Sequence, residues 1–158
     1  MILDEKTYLF NPFNIKKIND ETIGEQINEL ASTYKKEIIT PYDLTYNIEL
    51  ASNLLYLYGE IIARYTERYQ VKKIDNDKGE ALETYNQRKK WVSENKEKSP
   101  NIDYFKALAI DKYQLARNDE ARLYADLIRW KKAYDSVESK MNAWKKQLEA
   151  MKYEIGVE

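Results

Sequence analysis

Leu123, Leu127, Trp130, Tyr134, Val137, Met141, Trp144, Leu148, Met151 and Ile155 follow one another in alternating steps of four and three, without a break. Such steps keep every side chain on one face of an α-helix, and only a long helix can carry a stripe of this length. A second series, Leu44, Ile48, Ala51, Leu55, Tyr58, Ile62, Tyr65 and Tyr69, alternates in the same way. The chain is therefore expected to be all-α and dominated by two long helices.

Helix breakers are scarce enough to agree: 4 Gly and 3 Pro in 158 residues. A sandwich, barrel or βαβ array needs many more turns than these can supply. Pro12, Pro41 and Pro100 set the boundaries. Residues 1–18 read as an irregular arm whose Tyr8-Leu9-Phe10 and Phe13 need a surface to dock on. Ile23, Ile27, Leu30 and Tyr34 predict a first helix over 20–38, with Asp20 at its N-cap. Thr40-Pro41-Tyr42-Asp43 is a helix start, with Thr at N-cap, Pro at N1 and an acid at N3. Ser99-Pro100 followed by Asp103 repeats that arrangement before the last helix. Residues 1–40 thus form an arm and a first helix, and 41–158 a long antiparallel hairpin turning near 93–101.

The pattern falters at Asp75-Asn76-Asp77-Lys78-Gly79, where two readings compete, a stutter in one helix or a short loop. Helical spacing resumes at Ala81, Leu82, Tyr85 and Val92, which favours a continuous helix to about residue 95. Gly79 would cost only about 1 kcal/mol in an exposed helix. Arms of this length reach about 75 Å at 1.5 Å per residue, and an isolated pair of them cannot enclose a compact core. The stripes also carry large rings, Tyr58, Tyr65, Tyr69, Trp130, Tyr134 and Trp144 among them. Wide interfaces between several helices suit such rings, so a homo-oligomer is expected, with Leu127, Trp130, Tyr134, Val137, Met141, Trp144, Leu148 and Met151 as its seam. Tyr46, Tyr56, Tyr85 and Tyr104 fall off these stripes and are freer to serve a surface.

Composition narrows the function. With His 0 and Cys 0, a catalytic triad, a thiol nucleophile, a Cys/His zinc site and a disulfide are all excluded. Asp75, Asp77 and Glu80 do not match a calcium loop, because Gly79 falls at the wrong offset and no bidentate Glu follows. The expectation is no enzyme, no metal and no cofactor. The longest nearly apolar run, Leu54–Tyr58, is too short to span a membrane, and no leader-like segment opens the chain. A cytoplasmic protein without a membrane partner is the expectation.

Charge is balanced overall at −1, so any nucleic-acid site has to be local. Arg88-Lys89-Lys90-Trp91 is a compact basic run with a ring beside it, and Lys72-Lys73 is a second pair on the same helix. Cations along a phosphate backbone, with rings for base stacking, are what single-strand binding requires. Lys72, Lys73, Arg88, Lys89 and Lys90 are the candidate phosphate contacts, and Trp91 or Tyr85 the candidate stacking ring. The competing reading is a solvated outer face on a structural or scaffolding protein. A third is a phage-encoded inhibitor of a host or defence protein.

The order of segments resembles a known family. Asn53-Leu54-Leu55-Tyr56-Leu57-Tyr58 opens a long helix, and a basic, Gly-containing region follows. A second helix then carries Ala109-Ile110-Asp111-Lys112 and Leu127-Ile128-Arg129-Trp130. This layout, over roughly residues 42–153, is similar to that of the UvsY-type recombination mediators of tailed phages. The resemblance implies a ring-forming helical hairpin that binds single-stranded DNA without hydrolysing anything. Its partners would be a RecA-like recombinase, which it helps to load, and a single-strand-binding protein, which it displaces. It would work in the host cytoplasm. That family's short basic motif separates lysine and arginine by one small residue; Arg88-Lys89-Lys90 is the nearest match and lacks this spacing.

Overall fold

A computed structural model of the chain describes residues 20–95 and 98–156. Three helices account for nearly all of them, α1 (Asp20–Ser32), α2 (Pro41–Glu94) and α3 (Ile102–Ile155). No strand occurs among the described residues. The long helices α2 and α3 pack closely as a hairpin. The arm over residues 1–18 lies outside the described residues.

Local chemistry explains where the helices begin and end. Asp43 Oδ2 accepts hydrogen bonds from the Thr40 and Ile39 backbone N–H groups at 3.0 and 3.2 Å and from the Thr40 hydroxyl at 2.8 Å. The Asp43 N–H in turn donates to Thr40 Oγ1 at 3.3 Å, which completes a capping box around Pro41. The hydrogen bonds from Thr40 hold the Asp43 carboxyl below the usual carboxylate range. The start of α3 differs from expectation. The Tyr104 N–H bonds Asn101 O at 3.1 Å and the helix begins at Ile102, so Asn101 is the cap and Ser99-Pro100 still belongs to the turn.

The first helix is also shorter than its stripe suggests. It stops at Ser32, where the Ser32 and Thr33 hydroxyls bond Glu29 O at 2.7 Å and Leu30 O at 2.8 Å. Hydroxyls that satisfy the last carbonyls compete with continuation of the helix. The returning chain is then held by Asn47, fully buried, whose amide accepts from Lys35 N–H at 2.8 Å and donates to Lys35 O at 3.0 Å. Tyr34 keeps its inward role from outside the helix, with its ring 5.3 Å from that of Trp144.

The described chain divides into two compact units, Arg64–Ile128 and the residues on either side of that span. The flanking residues form a three-helix unit from α1, the first part of α2 and the last part of α3. Its core is apolar: Ile23, Ile27, Leu44, Leu50, Ala51, Leu54, Leu57 and Ile61 are all buried. In α2 the covered face is wider than the sequence stripe. Leu44 and Ala51 are buried as the alternation expects, whereas Ile48, Leu55, Tyr58 and Ile62 are half-buried beside the deeper Leu54, Leu57 and Ile61. A helix with two neighbours is covered over a broader arc than one paired with a single partner. Burial and the nearby Tyr58 push the Tyr34 phenol up to about 12.

The Arg64–Ile128 unit is a two-helix hairpin. Its buried side chains are few: Phe105, Ala109 and Leu127, with Asn76. Beside the turn, Trp91, Tyr104 and Phe105 meet edge to face, with centroids 5.4 to 6.4 Å apart. Tyr69 and Tyr124 stack at 5.2 Å. The helix runs unbroken through residues 75–79, which settles the choice between stutter and loop.

Candidate nucleic-acid interface

The polar stretch of α2 is where this hairpin is fastened. Asn76 is 3% exposed and donates from Nδ2 to Ala116 O at 3.1 Å and to Glu120 Oε2 at 2.8 Å. Arg117 reaches across from α3. It forks onto Glu80 at 2.7 and 2.8 Å and also bonds Asp77 and Glu120 at 2.7 Å each. A bidentate guanidinium–carboxylate pair is among the stronger polar contacts a protein makes. Glu80 foremost, then Asp77 and Glu120, push the Arg117 pKa up. Hydrogen bonds from Asn76 and Arg117 hold Glu120 below the ordinary carboxylate range. One turn further on, Lys112 Nζ meets Glu83 Oε2 at 2.7 Å, a bond that lowers the Glu83 pKa and raises that of Lys112.

Gly79 belongs to the same fastening. A Cβ there would overlap the Tyr113 ring, which lies directly against the α2 backbone. The residue is required by this close approach, where the sequence suggested it was merely tolerated.

These pairs change the charge that α2 presents. From Lys72 to Lys90 the helix carries Asp75, Asp77, Glu80 and Glu83. The last three are engaged by cations of α3. Lys73, Arg88 and Lys89 are exposed, and no ion pair to them occurs among the described residues. Lys90 is exposed, with Glu94 4.0 Å away. Lys72 is half-buried and lines an open groove of about 380 Å³ with Glu67, Arg68, Val71, Asp75 and Leu123. The six candidates therefore share one unit but not one role.

Trp91 is placed differently from its basic neighbours. Its ring packs on Tyr104 and Phe105, and its Nε1 is buried with no hydrogen-bond partner among the described residues. Tyr85, 62% exposed, is the ring that stands out from the helix near Arg88 and Lys89. Tyr104 is 49% exposed but also joins the turn cluster. Tyr56, expected to be free for a surface, has its hydroxyl buried without a partner among the described residues. Tyr46 is half-buried, with Lys35 Nζ 5.8 Å from its ring centre.

The α3 stripe faces inward along its described length. Leu127 is buried, and Trp130, Tyr134, Val137, Met141, Trp144, Leu148 and Met151 are half-buried. Trp130 meets Tyr58 at 5.8 Å, so seam residues are already covered within one chain.

No helix among the described residues is long and apolar enough to cross a membrane. No group of His, Cys, Asp and Glu among them could hold a metal ion. No family model, curated protein or solved structure matches the chain.

Proposed function

We propose that the chain is a non-enzymatic, self-associating helical protein that binds single-stranded DNA through α2 of the hairpin unit. Its role on this reading is that of a recombination mediator, helping a RecA-like recombinase to replace a single-strand-binding protein. One observation carries the DNA part. Three of the four acids between Lys72 and Lys90, Asp77, Glu80 and Glu83, are occupied by Arg117 and Lys112, while Lys73, Arg88 and Lys89 stay exposed with no ion pair among the described residues. A flexible strand can follow cations spread over the exposed arc of one helix, and Tyr85 supplies an exposed ring for a base. The mediator part rests on the resemblance in layout alone.

The test is anisotropy of a labelled oligothymidylate titrated at several salt concentrations. About four phosphate contacts would give a slope of log K against log salt near −3. Replacing Lys73, Arg88 and Lys89 together with Ala should flatten that slope by about 2. Absence of binding at about 50 mM salt would overturn the DNA reading.

A scaffolding role is the second reading, favoured by the apolar side chains that the hairpin unit leaves exposed, Leu82 and Leu115 at 61% and 80% among them. It predicts that the triple-Ala variant, wherever it still assembles, functions like the parent.

A further inference from the structure

Val71, Ile74, Leu82, Tyr85 and Val92 are between 48% and 62% exposed, and all lie on α2 within the hairpin unit. With Lys78 and Lys89 they fall on one line, Val71, Ile74, Lys78, Leu82, Tyr85, Lys89, Val92. At 100° per residue this line lies roughly half a turn from Asn76, Glu80, Glu83 and Trp91, the residues turned toward α3. It is a second stripe of helical period, left about half exposed, with Leu123 of α3 reaching the groove beside Val71. A stripe with this repeat fits another helix carrying the same repeat.

We infer that the occupant is a second copy of this chain, whose α2 lies antiparallel along the same stripe. Charge favours one direction: the C-terminal end of the stripe holds no acid between Glu83 and Glu94, whereas the N-terminal end mixes Glu67 and Asp75 with Arg68, Lys72 and Lys73. Glu67 and Asp75 flank the N-terminal end of the stripe, while Arg88 and Lys89 flank its C-terminal end. All four are exposed, and none has an ion-pair partner among the described residues. Parallel pairing sets Arg88-Lys89 against its own copy. Antiparallel pairing with Leu82 near the two-fold axis sets Asp75 across from Lys89, Val71 beside Val92, and Lys78 beside the Tyr85 ring, where a cation is favoured. The stripe spans about 30 Å of helix. With two lysines on its line, the pair is reversible and forms as concentration rises. The inference names the face for the self-association proposed above, and its test is made without DNA, because Tyr85 and Lys89 on this face are also the candidate strand contacts.

The absence of Cys from the chain makes the test clean, because a single introduced thiol can cross-link only to another copy. Leu82→Cys, Val71→Cys, Val92→Cys and the control Leu115→Cys would each be mildly oxidised, with helicity checked by circular dichroism and mass by sedimentation. L82C should form disulfide dimers at least about tenfold faster than L115C, since its thiols are held near the axis. V71C mixed with V92C should cross-link well, and each alone poorly. If L82C links no faster than L115C while mass still rises with concentration, another face mediates association and the inference fails alone. If V71C links to itself faster than to V92C, the helices run parallel and the inference fails in direction. If every variant and the parent stay monomeric, the self-association reading falls with it.

Discussion

The three-helix unit and the Arg64–Ile128 hairpin are built from the same two long helices, yet they hold together by different means. In the first, α2 meets α1 as well as α3 and buries Leu44, Leu50, Leu54, Leu57 and Ile61. In the second, with one neighbour per helix, there is too little cover for such a core. Among the described residues only Phe105, Ala109 and Leu127 are buried apolar side chains there, while Val71, Leu82, Tyr85, Val92 and Leu115 stay exposed. Polar contacts take over: Asn76, Arg117 and their carboxylates fix which residues of the two helices meet. An apolar interface between two helices tolerates sliding by a turn, whereas a fork of directed hydrogen bonds does not. One unit is held mainly by area and the other mainly by register.

The largest effect should come from the apolar side of this contrast. Leu54 is 1% exposed, and Leu54→Ala should cost about 2–5 kcal/mol, as buried leucine deletions do. Chemical denaturation measures the loss, and hydrogen exchange shows where it falls. Peptides from α1 and the first part of α2 should lose protection ahead of those from Arg64–Ile128. Equal loss in both units would mean that they do not differ in the way their buried residues indicate.

The polar side breaks with Arg117→Met. This variant keeps much of the side chain's packing but leaves Asp77, Glu80 and Glu120 together without their cation, at about 1–3 kcal/mol. Acid should reproduce part of it. Glu83 and Glu120 are held below their ordinary pKa in the folded chain, so their contribution is present above that value. It is lost as pH falls through the depressed folded values. Among its described residues the three-helix unit has one such group, Asp43, so exchange in the hairpin should rise first below about pH 4. Alkali should act on the other unit. The Tyr34 phenol, raised to about 12, stabilises the fold below its ordinary value near 10 and ceases to do so as pH climbs through 12. A three-helix unit that opened first in acid would reverse the comparison.

How much of this could be read in the sequence follows the same division. The apolar stripes, the Thr40–Asp43 cap and the length of α2 and α3 were legible because periodicity and capping are local signals. The end of α1 at Ser32 was not, since Tyr34 continues the stripe after the helix has stopped and only the Asn47–Lys35 pairing reveals the return. The clasp was missed for a different reason. Continuing the alternation from Tyr69 leads to Lys72, Asn76, Gly79 and Glu83, which are interhelical positions with polar or absent side chains. A stripe followed only through apolar residues ends there, although a buried Asn at such a position is a known way to fix register. The basic run was visible at once, but that Glu80 and Glu83 before it are engaged from α3, or that Trp91 faces inward, depends on residues more than a hundred positions into the chain.

Gly79 gives the smallest and sharpest test of that register. Replacing it with Ala favours the helix by about 1 kcal/mol wherever there is room. Here the Tyr113 ring occupies the space a Cβ would take, so Gly79→Ala must displace the ring and should destabilise the hairpin by about 1–3 kcal/mol. In a Tyr113→Ala background the same change should turn stabilising, because only the helix preference is left. A change of sign between the two backgrounds, read by thermal unfolding, is a coupling between α2 and α3 at one position. If Gly79→Ala stabilised both backgrounds equally, the close approach of Tyr113 would not be holding the helices in place, and the clasp of Asn76 and Arg117 alone would carry the register of the hairpin.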